Sequence, residues 1–557
     1  IKNTDGTESN TVVDWTETTG PDSAMRLSFR KDNKLGVFTS GTSGIAGYPQ
    51  LYYIEIPKAD ASANYWYNFN DLGIEKYGYN LETNSGARLV MNTGHAGELS
   101  GVVDTDDNTY ASTSDGGLGV ILPPESVGTT ADMTTAAISY VTKDYNTGYM
   151  IGDIRGALLS DTDDTDVTGT YLYLDNFSNN DKGWSFADNG SDGVSGGVMT
   201  IANNASARAT DYDALNGVAT GTKLSVQFTV TFGAAGTLTL DDDGAGAGLG
   251  GNTNLLQATK SGSGTQTYSS IYTKTGSNRV RFIRTSGGNF QIDNFEMKIL
   301  PEDDRSVKNN GLAVYGTITK SPVATGADLV AYSGFSNSNY LFQPHNTELE
   351  FGTGDYSVML WYKGTSASTG NREVFAKVTG ASSGEWLLHK EYTNKFVFDS
   401  VTDPYPINAE SWYHVAGVRV SGTSQLYVNG KLVGSAASGD NITDTSEGMI
   451  IGQDPNNNGW RVRGSLALLR ISASTPTADQ INKIYNDEKC LYLENAKCTL
   501  YGTSNDINTL AVDDSNNVVH AGTSGGRSEF QGLNRINNTT TAVTTAISAS
   551  NELVAEQ

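Results

Sequence analysis

The stretch SWYHVAGVRVSGTSQLYVNGKLVG, residues 411–434, decides the fold of the middle of this chain. β-branched and aromatic residues recur through it at the alternating spacing of consecutive strands. Asn429-Gly430 separates the last two runs. Because Asn-Gly readily adopts the positive φ angles of a type I′ turn, QLYVNGKLVG is predicted to be a β-hairpin.

The segments on either side of this stretch continue the β pattern. GTGDYSVMLWYK, residues 352–363, alternates apolar with small or polar residues, which predicts a half-buried strand. IIGQDPNNNGWRVRGSLALLRIS, residues 450–472, predicts a strand, a polar loop and another strand. Residues 476–486 then predict a short helix with its apolar residues on one face.

Residues 302–490 resemble the laminin-G-like, concanavalin A-like jelly-roll domains. The resemblance rests on five elements that come in the family's order: FGTGDYSV, WYHVA, LYVNGKLVG, an Ile-Gly before a polar loop, and TADQINKIYN. It implies a two-sheet sandwich that binds glycans or protein partners, often with Ca²⁺ at one rim. Related domains often carry an acidic residue where this chain has GSLALL at 464–469, so the resemblance does not extend to a metal site there.

The polar loop between the last two strands is the candidate ligand site. The resemblance places ligand loops in this region, and an aromatic residue follows the loop. An aromatic ring can stack on a sugar face while side-chain amides bond its hydroxyls. The alternative is an ordinary turn followed by a core tryptophan. The predicted ligand-binding residues are Asp454, Asn456, Asn457, Asn458 and Trp460.

Residues 173–301 resemble the jelly-roll carbohydrate-binding modules. The motifs are an early Asn-Phe followed by Gly-Trp, the strand KLSVQFTVTF at 223–232, and a closing Ile-Asp-Asn-Phe strand. The resemblance implies a second β-sandwich. Trp184 is interpreted as a core residue of that sandwich rather than a binding platform.

A repeat connects the two outer parts of the chain. VDTDDNTYASTSDGG at 103–117 is similar to VDDSNNVVHAGTSGG at 512–526, with strand, Asp/Asn turn, strand and Gly-rich turn in the same order. A four-stranded unit of about 40 to 50 residues has the size of a propeller blade. We therefore expect residues 1–172 and 491–557 to form one β-propeller-like body that carries the two sandwiches as an insertion. The alternative is a series of separate small β domains.

Composition and charge limit the function classes. A chain of 557 residues predicts three or four domains, and 63 Gly against 12 Pro fits strands and turns. Its net charge of -25 repels phosphate backbones and anionic lipid, so nucleic acid is not an expected partner. The longest apolar runs fall short of the roughly 20 residues that a membrane span needs, so no membrane insertion is expected. Cys490 and Cys498 permit a local disulfide without requiring one.

Catalytic patterns are weak in this sequence. Glu348 and Glu350 are placed on one side of a predicted strand, but no third carboxylate completes the Glu-x-Asp-x-x-Glu pattern of the resembling hydrolases. Asp104, Asp153 and Asp513 are available as acids of a propeller glycosidase, with no pairing specified. We predict that the protein is not an enzyme and has no catalytic residues.

Two acidic stretches could supply oxygen ligands to Ca²⁺, the one cofactor considered. They are DTDDTD at 161–166 and DDDGAG at 241–246. The first lacks the Gly and the closing Glu of an EF-hand loop, and solvated turns are the default interpretation for both. His414 lies inside the predicted strand WYHVAG and is interpreted as a packed or edge residue.

The sequence therefore predicts an all-β, multidomain protein: a β-propeller-like body with two inserted jelly-roll sandwiches. The function expected is a non-catalytic adhesion or structural protein on a virion or an extracellular cell surface. In overall architecture the chain is similar to marine bacteriophage tail and fibre proteins. Expected partners are a glycan or host receptor, virion proteins and other copies of the chain, since weak sites gain from multivalency in an oligomer. The alternative is a secreted polysaccharide-degrading enzyme with accessory binding modules.

Overall fold

The structure is a computed structural model that describes residues 116–122 and 137–557, with gaps in this range. The gaps are 181, 188–191, 204–207, 212, 243–253, 307, 380–386, 443–447, 455–458 and 514. Before residue 116, only the backbones of strands are described, and a few later strand residues are also described by backbone alone.

The first nine strands form one antiparallel sheet in which each strand pairs with the next one in the chain. They are β1 (Ala24–Lys31), β2 (Lys34–Gly41), β3 (Gln50–Glu55), β4 (Arg88–Asn92), β5 (Glu98–Val103), β6 (Thr109–Ser112), β7 (Leu118–Leu122), β8 (Ala137–Val141) and β9 (Met150–Ile151).

Two short strands come next in the chain, and both pair with strands of the second sandwich. They are β10 (Ile154–Leu158) and β11 (Val167–Thr168). The first sandwich comprises β12 (Tyr171–Asp175), β13 (Ser185–Phe186), β14 (Gly193–Ser195), β15 (Val198–Ile201), β16 (Arg208–Asp211), β17 (Lys223–Phe232), β18 (Gly236–Asp241), β19 (Asn254–Lys260), β20 (Gly264–Thr273), β21 (Val280–Gly287) and β22 (Phe290–Ile299).

The two sheets of the first sandwich enclose an aromatic core. One sheet has the order β14-β15-β22-β17-β20 with β12 on β22, and the other has the order β13-β16-β21-β18-β19. Every second side chain of β17, including Phe228 and Phe232, is buried between them, as the two-residue period of a strand requires. Trp184 is 3% exposed in this core, which confirms its interpretation as a core residue.

The second sandwich follows without a long linker. Its strands are β23 (Ala313–Tyr315), β24 (Thr317–Pro322), β25 (Val330–Ser333), β26 (Tyr340–Gln343), β27 (Tyr356–Gly364), β28 (Glu373–Thr379), β29 (Leu387–Lys390), β30 (Phe396–Phe398), β31 (Val401–Thr402), β32 (Trp412–Val420), β33 (Thr423–Val428), β34 (Lys431–Ala437), β35 (Gly448–Ile451) and β36 (Gly464–Ser472). Short 3₁₀ helices lie at Thr347–Leu349 and Ser366–Ser368.

One sheet of the second sandwich has the order β11-β24-β25-β36-β27-β32-β33-β34, with β10 also paired to β36, and the other has the order β23-β26-β35-β28-β29-β30-β31. The predicted hairpin is confirmed between β33 and β34. Asn429 and Gly430 have φ angles of 49° and 76°, as a type I′ turn requires.

The chain ends with one helix and six strands. They are α1 (Ala478–Glu488), a 3₁₀ turn (Lys489–Tyr492), β37 (Ile507–Asp513), β38 (Val518–Thr523), β39 (Gly526–Gln531), β40 (Asn534–Asn538), β41 (Ile547–Ser550) and β42 (Leu553–Glu556). The predicted helix is confirmed with a shift of two residues. Thr477 and Gln480 cap its start reciprocally, each side chain accepting a hydrogen bond from the other's backbone N–H.

The sheet that contains β27 is buried on both faces, and here the prediction of a half-buried strand was wrong. Val358 and Leu360 enter the core between the two sheets of the second sandwich. Met359 and Trp361, on the opposite face, enter a second core shared with α1 and with the outer segments of the chain. The outer face of this sheet is therefore covered by protein.

The two repeated segments have matching strand order and lie against each other. β5 to β8 and β37 to β40 are each four antiparallel strands, and each quoted repeat begins at the end of the first strand and includes the whole second strand. The Asn505 carbonyl oxygen accepts a hydrogen bond from the Gly117 N–H at 2.6 Å, and its side-chain oxygen accepts one from the Lys143 N–H at 2.8 Å. Leu118 and Val120 share a core with Leu510 and Val519.

The chain is all-β with several sandwich-like units. Within the part of the chain that the structure describes, no sheet closes into a ring. The propeller-like body thus remains a prediction. No helix in this part is long and apolar enough to cross a bilayer.

Candidate functional site

The loop between β35 and β36 contains the predicted ligand residues. Its two sides are joined by a bridge between Gln453 and Arg461 and by a hydrogen bond from the Asp454 N–H to the Trp460 carbonyl oxygen at 3.0 Å. Asp454 is 2% exposed, so its carboxylate is not presented to solvent. The predicted residues Asn456, Asn457 and Asn458 lie outside the described residues.

Trp460 is partly exposed and contacts two side chains from remote parts of the sequence. Its indole N–H donates a hydrogen bond to the Tyr392 hydroxyl at 2.9 Å. The Arg372 guanidinium lies 4.1 Å from the centre of the Trp460 ring, within the range of a cation–π contact. Tyr392 is 54% exposed, so aromatic surface at this rim faces solvent. We call Arg372, Tyr392 and Trp460 the Trp460 surface.

The Arg372 guanidinium is fixed by a carboxylate behind it. Glu391 accepts a hydrogen bond from Arg372 Nε at 2.9 Å and a second from Nη2. His389 Nε2 lies 3.1 Å from Glu391 Oε1. This two-point contact compensates the charge of Arg372 and fixes the plane of its guanidinium against Trp460.

A second arginine stabilises the loop by hydrogen bonds to its backbone. Arg463 donates hydrogen bonds to the carbonyl oxygens of Gly459 at 3.0 Å and Arg461 at 3.3 Å. The Arg463 backbone N–H donates to Glu373 at 3.1 Å. Burial raises the pKa of the Glu373 carboxyl group, which also accepts a hydrogen bond from Tyr362. The loop therefore contacts a buried polar group, Glu373, at one end, and the aromatic residues of the Trp460 surface lie at its exposed end.

Sequence reasoning identified Trp460 but missed its partners. Tyr392 precedes Trp460 by 68 residues and follows β29, and Arg372 precedes β28. Each is an isolated residue in a turn, with no motif around it. Only the pairing of β28, β29 and β35 in one sheet brings these turns together.

The candidate acids named from the sequence are occupied by other contacts. Glu348 lies in a 3₁₀ helix, so its placement on a strand was wrong, and it pairs with Arg155 and with Lys308. Asp153 pairs with Arg155 at 2.7 Å. Asp513 accepts hydrogen bonds from Ser515. The other candidates are Glu350, which lies 3.7 Å from His345, and Asp104, which is outside the described residues.

The first acidic stretch is mostly solvated, as expected, since Asp163, Asp164 and Asp166 are exposed and only Asp161 pairs with Lys320, at 2.7 Å. The described part of the second stretch is not solvated, because Asp241 pairs with Arg281 at 2.9 Å in a buried contact. Among the residues that the structure describes, no three His, Cys, Asp or Glu side chains are grouped to hold a metal ion. Ca²⁺ binding remains a prediction.

The remaining residues singled out from the sequence are structural. His414 is fully buried in β32, beside Trp361, which confirms that it is packed. Cys490 and Cys498 are both free thiols.

A family comparison agrees with the fold of the second sandwich. Residues 335–482 match the concanavalin A-like lectin/glucanases superfamily. The match lies within the second sandwich and supports a concanavalin A-like fold for it. No match to a curated protein sequence was found.

Several solved structures are similar to parts of the chain. The binding domain of Paraclostridial Mosquitocidal Protein 1 has 13% identity and a TM-score of 0.29, covering 41% of this chain and 61% of that one. The heptameric SAP-like pentraxin of Limulus polyphemus has 18% identity and a TM-score of 0.21, covering 24% and 70%. The CBM40 of the Ruminococcus gnavus IT-sialidase, bound to α2,3 sialyllactose, has 11% identity and a TM-score of 0.21, covering 24% and 83%.

Proposed function

We propose that this protein is a non-catalytic adhesion protein that binds glycans through its second sandwich, at the Trp460 surface. The observation that carries the proposal is the solvent-facing pair of Trp460 and Tyr392, bonded at 2.9 Å on the rim of a concanavalin A-like domain. Trp460 is partly exposed and Tyr392 is 54% exposed, so both rings can be reached by a ligand.

The chemistry of the Trp460 surface suits a sugar ring. One face of a pyranose is lined by C–H groups that stack on an aromatic ring, and its hydroxyls need donors and acceptors at the edge. The Tyr392 hydroxyl supplies such a group beside the Trp460 indole. Because Glu391 already compensates the charge of Arg372, the surface favours a neutral sugar over an anionic one.

The packing of the sandwich directs ligands toward this rim. The sheet containing β27, β32 and β36 is covered on its outer face by α1 and the outer segments. A glycan chain cannot lie across that face without displacing a hydrophobic core. The loops at the ends of the strands are the accessible alternative.

The wider setting is part of the same proposal. We place the protein on a virion, as a tail or fibre component, or on an extracellular cell surface. The first sandwich is assigned as a further binding module, and the outer segments as a propeller-like body, which the matching four-stranded units β5 to β8 and β37 to β40 support. Several copies in an oligomer would convert weak glycan sites into firm attachment.

A glycan array probed with the full-length protein, with and without EDTA, tests the proposal. We expect binding to neutral glycans, and a Ca²⁺ requirement would appear as loss of signal in EDTA. Trp460→Ala should weaken binding of the best array ligand at least tenfold, equivalent to about 1.4 kcal/mol. Leu432→Ala is the matched control, since Leu432 is 51% exposed on the edge strand β34 of the other sheet.

Two results would count against this function. One is an array without any ligand for the wild-type protein, and the other is equal binding by wild type and Trp460→Ala. Release of reducing ends from the array ligand would instead favour the polysaccharide-degrading alternative.

A further inference from the structure

Lys320 is a buried lysine in contact with two carboxyl groups. Its side chain is 3% exposed. Its Nζ lies 2.7 Å from Asp161 Oδ2 and 3.5 Å from Glu302 Oε1, whose side chains are 19% and 8% exposed. We call these three residues the Lys320 cluster.

The backbone holds both ends of the Lys320–Asp161 contact in place. The Asp161 carbonyl oxygen accepts a hydrogen bond from the Val330 N–H at 3.1 Å, which fixes it to the start of β25. The Lys320 N–H donates to Asp166 at 3.1 Å. Both residues are therefore fixed by backbone hydrogen bonds. Little conformational entropy is lost when their side chains come into contact.

Glu302 is positioned by its own contacts. Its carbonyl oxygen accepts a hydrogen bond from the Leu312 N–H at 2.7 Å. Its Oε2 accepts one from the Tyr332 hydroxyl at 2.6 Å, and Tyr332 lies opposite Lys320 in the β24–β25 ladder. Burial raises the pKa of the Glu302 carboxyl group, which makes it a stronger proton acceptor than an exposed carboxylate.

Burial lowers the pKa of Lys320, but its hydrogen bond to Asp161 and the nearby carboxylates raise the pKa by more, so the resting cluster is an ion pair. Two carboxyl groups face a single ammonium in a site largely closed to water, and the desolvation of such groups is costly. The conditions that favour condensation of an amine with a carboxyl group are all present: contact distance, exclusion of water, and a third group that can move a proton.

We propose that Lys320 and Asp161 join in an intramolecular amide bond, with Glu302 as the proton carrier. The reaction starts when the proton shared by the pair moves from Nζ to the Asp161 carboxyl group, which leaves a neutral amine and a carboxylic acid. The Nζ lone pair then attacks Cγ of Asp161, the C–N bond forms, and the C=O π bond opens.

Collapse of this tetrahedral adduct completes the step. Glu302 takes a proton from the nitrogen and delivers one to the departing hydroxyl. The C–O bond breaks, one water molecule leaves, and Glu302 returns to its starting state. No oxidant, reductant or activated co-reactant is required, so the bond forms from the folded chain alone.

The bond would enclose the first sandwich in a covalent ring. Asp161 and Lys320 are separated by 159 residues, and all strands from β12 to β22 lie between them. A pulling force applied along the chain would pass from residue 161 to residue 320 without unfolding the first sandwich. Such a bond would help an adhesion protein to remain folded under a pulling force.

Intact mass spectrometry of the denatured full-length protein tests the proposal. The wild-type chain should be lighter than its sequence mass by one water, and a peptide map should contain the Asp161 peptide joined to the Lys320 peptide. Lys320→Arg and Glu302→Gln should both have the full sequence mass. Lys298→Arg is the control, because Lys298 is also buried but donates to the Val314 carbonyl oxygen, and it should keep the water loss.

A wild-type chain at its full sequence mass would overturn the proposal, as would a water loss that persists in Lys320→Arg. A second measurement avoids dependence on the folding of any cluster variant. A specific protease site inserted at Gly262, which has open space around it and lies between the exposed Ser261 and Ser263, allows the ring to be cut. After cutting, denaturing electrophoresis should show one joined molecule, and two separate fragments would refute the bond.

Discussion

Arg470 and Glu488 form an ion pair that is closed off from solvent where β36 meets α1. Arg470 is 2% exposed and Glu488 is fully buried. Glu488 also accepts hydrogen bonds from the Tyr149 N–H at 2.8 Å and the Trp361 indole N–H at 2.7 Å. One carboxylate thus joins the helix, the second sandwich and the segment before β9.

Removal of this carboxylate charge is expected to destabilise the protein strongly. Glu488→Gln leaves the Arg470 charge buried without its partner, at a cost of about 3 to 5 kcal/mol in the free energy of unfolding. Asp487→Asn on the same helix is the control, since its contact with Lys483 is a partly exposed i,i+4 pair worth about 0.5 kcal/mol or less. Urea unfolding of both variants measures the difference, and equal losses would contradict the assignment.

A pH dependence is expected from His414. Burial lowers the pKa of His414 well below 6.5, and the nearby Arg470 charge lowers it further. The unfolded chain takes up a proton below pH 6.5 and the folded chain does not, so stability is present above this pH and is lost as the pH falls. The slope for one such group reaches about 1.4 kcal/mol per pH unit.

The contribution of His414 can be isolated by difference. The free energy of unfolding of wild type should fall between pH 7.5 and 5.5, and His414→Leu should show a shallower fall. Other groups, including His520, whose pKa burial also lowers, affect both proteins alike and cancel in the comparison. Parallel pH profiles for the two proteins would show that His414 is not the source.

Alanine substitutions at two glycines distinguish the effect of backbone strain from the effect of close packing. Gly430 and Gly422 have φ angles of 76° and 72°, so alanine is strained at both positions by about 1 kcal/mol or more. A Cβ at Gly430 would also lie 3.0 Å from Asn482 Cα in α1, whereas at Gly422 the nearest atom is 3.7 Å away. Gly430→Ala should lower the melting temperature more than Gly422→Ala. The reverse order would mean that α1 does not pack on this hairpin.

The cysteines are expected to be unreactive in the folded protein. Burial raises the pKa of the Cys490 thiol to about 11 and also raises that of Cys498, so the reactive thiolate is scarce at pH 8. A colorimetric thiol reagent should titrate two thiols rapidly in denaturant and neither rapidly in native buffer. Cys490→Ser should reduce the denatured count to one, and a rapid native reaction would argue against the burial of these residues.

Local patterns predicted β27, the strands β32 to β36 and the helix α1 of the second sandwich. The Asn429-Gly430 turn depends only on the φ preferences of two adjacent residues, and the helix start depends on Thr477 and Gln480 three positions apart. Such features are decided within a few residues. The four strands β28 to β31, between residues 373 and 402, were not predicted.

Features that depend on remote partners could not be predicted. Nothing near Trp361 in the sequence indicates that its face of the sheet is covered by the segments around residues 149 and 492. The same holds for Asp161, which looked like part of a solvated acidic turn and instead contacts Lys320, 159 residues away. The candidate site shows the same contrast between local and remote features. Trp460 was predicted from its local sequence, whereas its remote partners Arg372 and Tyr392 were not predicted.

The first and last strands of the first sandwich are hydrogen-bonded neighbours. β12 pairs with β22, with Tyr171 opposite Lys298, so the chain enters and leaves this unit about 5 Å apart. Any other domain whose terminal strands are adjacent fits the same two attachment points. The first sandwich contributes no residue to the core around Trp361, so a different domain inserted between these two points would leave that core untouched.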